Sequence, residues 1–209
     1  MQSDFSTAIQ IQGLLEKSRN THMGIYDQWC QIGTAFAEFR GDLRGHDFEH
    51  LDGNIDLILR MIEADQLMAF QEFEDKFGGG VLFVQIGLSK MWLFSVYEMV
   101  RMNCAFKPCE GKANKSDYCG EATCLRCKLR LVRDRLSFFR VPLAKLEPER
   151  RGQKRPVEQN YRAEMVIDKD NGSVGWRASS LRSKTTETTS RLVLSDFVLD
   201  TLAISKVKK

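Results

Sequence analysis

Apolar residues recur at helical spacing along most of this chain, and near residue 160 the period shortens to two. Ile25, Trp29, Ile32, Phe36, Phe39 and Leu43 follow one another at intervals of 4, 3, 4, 3 and 4. That spacing puts them on one stripe and predicts a helix over 24–43. Leu125, Leu129, Val132, Leu136, Phe139 and Leu143 repeat the same intervals. Pro142 should stop or kink that second helix near Arg140, because proline lacks a backbone donor and disfavours helical geometry before it. Ile55, Ile58, Ile62, Phe70, Phe73 and Phe77 predict a helix over 55–77, closed by Gly78, Gly79 and Gly80. Residues 81–103 are apolar on most sides and should lie at the centre of a bundle, with Lys90, Glu98 and Arg101 on one arc. A weaker helix is expected over 3–19, capped by Ser3 and contacting the bundle through Ile9, Leu14 and Leu15, although Gly13 works against it.

The change of period marks a second region. Tyr161, Ala163, Met165 and Ile167 alternate with charged or exposed-type residues, and Val174, Trp176 and Ala178 answer them across Lys169-Asp170-Asn171-Gly172. This is a β-hairpin pattern. Residues 185–194 can add a strand, and Ser195 is the expected cap of a last short helix carrying Phe197, Val198, Leu199 and Leu202. Between the regions, 147–159 is charged and apolar-poor and carries two prolines, as an exposed linker does. The expected fold class is α+β: a mainly α-helical bundle over 1–146 and a small C-terminal β-hairpin plus helix over 160–209. Trp176 and Met165 need apolar cover, since an isolated hairpin is marginal.

Composition adds little to the pattern but narrows the class. Of 209 residues, 43 % are hydrophobic and 28 % charged, and thirteen Phe with three Trp exclude a disordered chain. The N-terminal residues have no basic segment leading into an apolar run, so a cytoplasmic protein is expected. The apolar run over 81–100 is broken by Gln85, Ser89, Lys90, Ser95 and Glu98, which favours a buried core helix over a membrane span.

The candidate chemistry lies at the turn between two predicted helices. Five of the six cysteines fall between Cys104 and Cys127. Cys124 and Cys127 have the C-x2-C spacing that lets one turn aim two sulfurs at a single ion, and Cys109 and Cys119 can complete a tetrahedral zinc site. Cys104 with Cys109 is a competing second pair, and free thiols or disulfides are the alternatives to metal. In a reducing cytosol, clustered cysteines favour metal. Four thiolates saturate zinc, so the site should be structural, leaving Cys104 as a small apolar residue at a helix end.

Charge is unevenly spread. Residues 125–162 hold twelve basic and four acidic groups, whereas 42–76 hold ten acidic and three basic, against a net charge of only +3 for the chain. Arg126, Arg130, Arg133 and Arg140 adjoin the apolar stripe of the 125–143 helix as a basic face, suited to a nucleic acid or an acidic protein. His46-Asp47-Phe48-Glu49-His50 matches the inverted zinc-protease pattern and supplies the rival reading, a metal-dependent hydrolase. The bland reading of that stretch is a solvated, acidic segment between helices. Phosphate-cradling glycine loops and a G-x-S-x-G elbow are absent. The favoured reading is a non-enzymatic binding or adaptor protein with a structural zinc loop, a basic helix face and no membrane contact.

Overall fold

Helix α3 (His46–Phe73) carries a buried stripe of Asp52, Asp56, Leu59, Glu63 and Gln66, spaced 4, 3, 4 and 3. None of the five is more than 7 % exposed. The spacing is helical but the chemistry is polar, so the isoleucines that predict this helix, Ile55, Ile58 and Ile62, lie on its flanks and are half-buried. A computed structural model describes residues 3–41, 46–73, 79–106, 108–109, 118–145, 164–180 and 185–203. Among these, the order is α1 (Ser3–Thr21), α2 (Met23–Arg40), α3, α4 (Gly79–Phe106), α5 (Leu125–Lys145), β1 (Glu164–Asp168), β2 (Ser173–Ser180), β3 (Thr185–Ser190) and α6 (Arg191–Leu202). The fold is α+β with a helical majority.

Helix α2 realises its predicted stripe, with Trp29, Ile32 and Phe36 at most 2 % exposed. It stops at Arg40 because Gly41 takes up a left-handed φ of 70° and its N–H reaches the carbonyls of Ala37 and Glu38. Gly53 lies inside α3 and does not end a helix. A Cβ there would stand 2.9 Å from Trp29 Cβ, so this glycine lets α2 and α3 approach closely. His46, Glu49 and His50 consequently lie in the first turns of a helix rather than in a segment between helices; their side chains are outside the described residues.

Three other expectations need correction. Helix α4 is apolar on most sides but does not lie at the centre of the bundle: its buried stripe is Gln85, Ser89, Trp92, Val96, Met99 and Asn103, while Val81, Phe83, Val84 and Met91 are 48 to 74 % exposed. Among the described residues, 80–105 is the one helix long and apolar enough to cross a membrane by length and composition, and 28 % of its most apolar window is buried. In α1, Ile9 and Leu14 are exposed. They lie about 140° apart at 100° per residue, too far to share a stripe. Helix α5 runs through Pro142 to Lys145, and half-buried Leu143, past the proline, packs against the core, a contact that works against the loss of the hydrogen bond.

The three strands form one antiparallel sheet in the order β1-β2-β3. Met165 pairs with Trp176 and Ile167 with Val174, as the alternation predicts. Only the central strand has its apolar side chains fully covered: Val174, Trp176 and Ala178 are at most 1 % exposed, whereas Met165 and Ile167 on the edge strand are 37 and 41 % exposed. The region expected as an appendage shares the helices' core. Trp176, Ala178, Leu194, Val198, Leu199 and Leu202 belong to the same buried cluster as Trp29, Trp92 and Phe139. The 147–159 linker lies outside the described residues. Gly172, at φ 68°, brings the hairpin turn against α3, where a Cβ would meet Leu67 N at 2.7 Å, and Gln85 Nε2 of α4 donates to Gly172 O at 2.8 Å.

Ser190, and not Ser195, caps α6, its side chain accepting from Val193 N. Ser195 is freed for the interior, where it donates to Asp56 Oδ1 at 2.7 Å. The centre of this polar layer is Arg191, which is fully buried. Its Nη1 pairs with Asp56 and its Nη2 with Glu63, while Nε donates to Glu63 Oε1 at 2.7 Å. Asp56 also accepts from Trp29 Nε1 at 2.9 Å and Arg60 Nε at 3.1 Å, and Ser173 Oγ donates to Glu63 at 2.7 Å. Burial alone would raise the Asp56 pKa, but the Arg191 and Arg60 guanidiniums and the Trp29 and Ser195 donors outweigh it and hold the carboxyl below its ordinary 3.8.

Replacing Arg191 by Met leaves buried Glu63 without its counter-charge and Asp56 with Arg60 alone, and is expected to cost about 3–5 kcal/mol in urea unfolding. Acid should act on the same region in two steps. His22 is held below its ordinary 6.5 by burial and by Arg60, and Asp56 is held below 3.8. Both groups therefore bind protons more readily in the unfolded chain, so their stabilisation is complete above about pH 6.5 and is lost as pH falls, through His22 first and Asp56 later. Urea midpoints measured from about pH 7.5 down to about pH 3.5 should decline, and His22→Gln should remove the upper part of the decline.

Candidate metal centre

Helices α4 and α5 form a hairpin whose connection carries the cysteines. Cys109 follows the end of α4, and Cys119 precedes a turn at 122–123 that leads into α5. Gly120 permits the reversal with a φ of 79°. Cys124 N–H donates to Glu121 O at 3.2 Å, and Cys124 O accepts from Lys128 N at 3.0 Å, so Cys124 stands at the entry of α5 with Cys127 in its first turn. The C-x2-C spacing thus spans a turn and a helix start, which directs both sulfurs to one side.

The structure brings Cys109, Cys119, Cys124 and Cys127 together, with all four sulfurs within 4.8 Å of one another. Sγ of Cys127 is 3.5 Å from that of Cys119 and 3.9 Å from that of Cys109, and Cys109 and Cys124 are 3.7 Å apart. Zinc–sulfur bonds of about 2.3 Å in a tetrahedron set the sulfurs about 3.8 Å apart, so the cage matches a single four-coordinate ion. Every cysteine among the described residues is a free thiol. Cys104 lies apart from the cage, where its sulfur meets Tyr118 Oη and Arg133 Nη1, each at 3.6 Å.

The thiols differ in their readiness to ionise. The Glu121 backbone N–H, followed by the neighbouring thiols, lowers the Cys119 pKa, whereas burial raises Cys127 and pushes Cys124 up to about 12. The cage as bare protein resists carrying four negative charges, and a cation at its centre removes that cost. A half-open cavity of about 490 Å³, lined by Phe39, Pro108 and Arg126 as well as three of the cysteines, gives an ion access to the sulfurs.

The arginines expected as an open basic face are drawn inward to different degrees. Arg126 is 3 % exposed, with its guanidinium 5.1 Å from the Tyr118 ring centre. Arg130 stands 4.1 Å from the same ring and 3.6 Å from Asp134. Arg133 donates to Asp134 at 2.9 and 3.1 Å. Arg140 donates to Glu98 at 3.2 Å and lies over Tyr97 at 4.9 Å. Glu98 also holds Arg101 at 2.6 Å. Sequence reasoning missed Tyr118; its one signal was being the only aromatic residue between Cys109 and Cys119.

No protein-family model matches the chain, and neither a curated protein nor a solved structure is similar to it. The site therefore rests on its own geometry. Cys104→Ser is expected to leave metal stoichiometry unchanged, whereas Cys109→Ser should lower affinity at least tenfold; titration with a chromophoric zinc chelator measures both.

Proposed function

We propose that this chain is a non-enzymatic cytoplasmic binding protein, with a structural zinc ion at Cys109, Cys119, Cys124 and Cys127 fixing the tip of the α4–α5 hairpin. The observation that carries the reading is the sulfur cage, whose spacings of 3.5 to 3.9 Å suit a tetrahedral ion. Thiolates select soft ions, and zinc has the geometry and the redox inertness for a structural role. Four protein ligands leave no position for a water molecule, which favours architecture over catalysis. Four thiolates around a divalent ion carry a net charge of −2. Arg126, which lines the same cavity, and the N-terminal end of α5 offset part of it.

The partner surface in this reading is the exposed flank of α5, where the side chains of Arg130, Arg133 and Arg140 are 49, 31 and 30 % exposed. Its complement is a nucleic acid or an acidic protein. Elemental analysis of untreated protein is expected to find one zinc per chain, and a Cys124→Ser/Cys127→Ser variant none. Chelation should open the tip to protease while the helical circular dichroism persists, because Leu129, Val132, Leu136 and Phe139 are buried independently of the loop. Parent protein that carries no metal, or whose four cysteines are paired as disulfides, would sink the reading.

A further inference from the structure

Tyr118 belongs to both halves of the molecule's tip. It precedes Cys119 in the chain, and its ring lies 4.1 Å from the Arg130 guanidinium and 5.1 Å from that of Arg126. Its hydroxyl and Arg133 Nη1 meet the same Cys104 sulfur, each at 3.6 Å. Three arginines on successive turns of α5 are thus gathered about one side chain of the cysteine loop. An aromatic ring attracts a guanidinium through its face, which engages the flat side of the cation and leaves the N–H edge available. Arg130 keeps 49 % side-chain exposure and only a 3.6 Å approach to Asp134, so its Nη groups face solvent, whereas Arg133, 31 % exposed, already donates to Asp134 through Nε and Nη2 and can offer a phosphate only its remaining N–H groups. An arginine already held in place loses less freedom when it grips a phosphate than a loose one does.

Arginine and aromatic residues alternate further along the same flank. Arg140 lies over Tyr97 at 4.9 Å and over Phe94 at 5.7 Å. Ten residues of helix separate Arg130 from Arg140, a run of about 15 Å. A basic track interleaved with aromatic rings suits the backbone of a single-stranded nucleic acid, whose phosphates repeat along the track and whose bases have flat faces.

We infer, resting on the zinc reading above, that Tyr118 is a positioning residue linking the cysteine centre to a phosphate clamp of Arg130 and Arg133, and that the ligand is the phosphodiester backbone of single-stranded nucleic acid. Metal binding fixes Cys119, Cys119 seats the adjacent Tyr118, and the ring holds Arg126 and Arg130, while the Tyr118 hydroxyl shares the Cys104 sulfur with Arg133.

The test uses the full chain and a labelled oligo-deoxythymidine of about 20 nucleotides, followed by anisotropy at about 50 and 200 mM salt. Zinc content is measured in every sample. The zinc-loaded parent is expected to bind, and Tyr118→Ala with its zinc retained to bind about tenfold more weakly. Tyr118→Phe, which keeps the ring, should stay within about twofold of the parent. Arg130→Ala should reduce the salt slope by about 0.7, the loss of one phosphate contact. A second measurement needs no ligand: the ring should shift the Arg130 side-chain proton resonances upfield, and chelation should abolish the shift. Parent-like affinity in zinc-loaded Tyr118→Ala, loss of zinc from that variant, or a ring shift that survives chelation would each overturn the link. Displacement of the oligonucleotide by polyglutamate at equal charge would overturn the choice of ligand. Absence of zinc from the parent refutes the metal reading itself, whereas one zinc per chain with no chelation-sensitive shift refutes only the link.

Discussion

A fully buried guanidinium holds this fold together. Arg191 begins α6 and reaches Asp56 and Glu63, two turns apart on α3, so a residue near the end of the described chain neutralises the charged interior of a helix from its first half. Each carboxylate has further donors: Trp29 from α2 and Ser195 from α6 on Asp56, and Ser173 from β2 on Glu63. Removing charge from water is expensive, and such a group survives inside a protein only when its hydrogen-bonding capacity is met. The polar layer therefore demands that α2, α3, β2 and α6 meet in one register. The apolar core beneath it, around Trp92, Trp176 and Phe139, demands far less of exact side-chain identity.

The same layer explains which parts of the fold the sequence discloses. Where the buried stripe is apolar, as along α2 and α5, the intervals between hydrophobic residues locate helix and face together. On α3 and the first half of α4 most of the buried stripe is polar, with Asp52, Asp56, Glu63, Gln66, Gln85 and Ser89 in it, and a reading keyed to hydrophobicity sees chiefly their flanks. Glycine misleads for a related reason. Gly53 reads as a break in the chain, yet it is a close approach to Trp29 that no local rule detects. The hairpin of β1 and β2 was legible because alternation and turn chemistry are local, whereas its attachment to the helices depends on Gly172, Gln85 and Arg191, residues distant in sequence.

The convergence of the cysteines was legible for the opposite reason: the four thiols lie close together in the chain, and a C-x2-C pair needs only one turn to converge. The neighbouring arginines were only half legible. Their spacing along α5 was visible, but their partners Asp134, Glu98 and Tyr118 were not, and these turn a uniform basic ridge into graded exposure, from 3 % for Arg126 to 49 % for the Arg130 side chain. Proximity in sequence predicts convergence of ligands better than it predicts who neutralises whom.

The Asp56–Arg191 contact spans 135 residues. A ribosome has threaded out α1 through α5 and all three strands before the arginine emerges, so every nascent chain passes through an interval in which the carboxylates of α3 wait for their only fully buried guanidinium. Water must fill that place in the meantime. Cooperative closure of the interior is then tied to the arrival of α6, and until that helix docks an unfinished core is recognisable to a chaperone or protease.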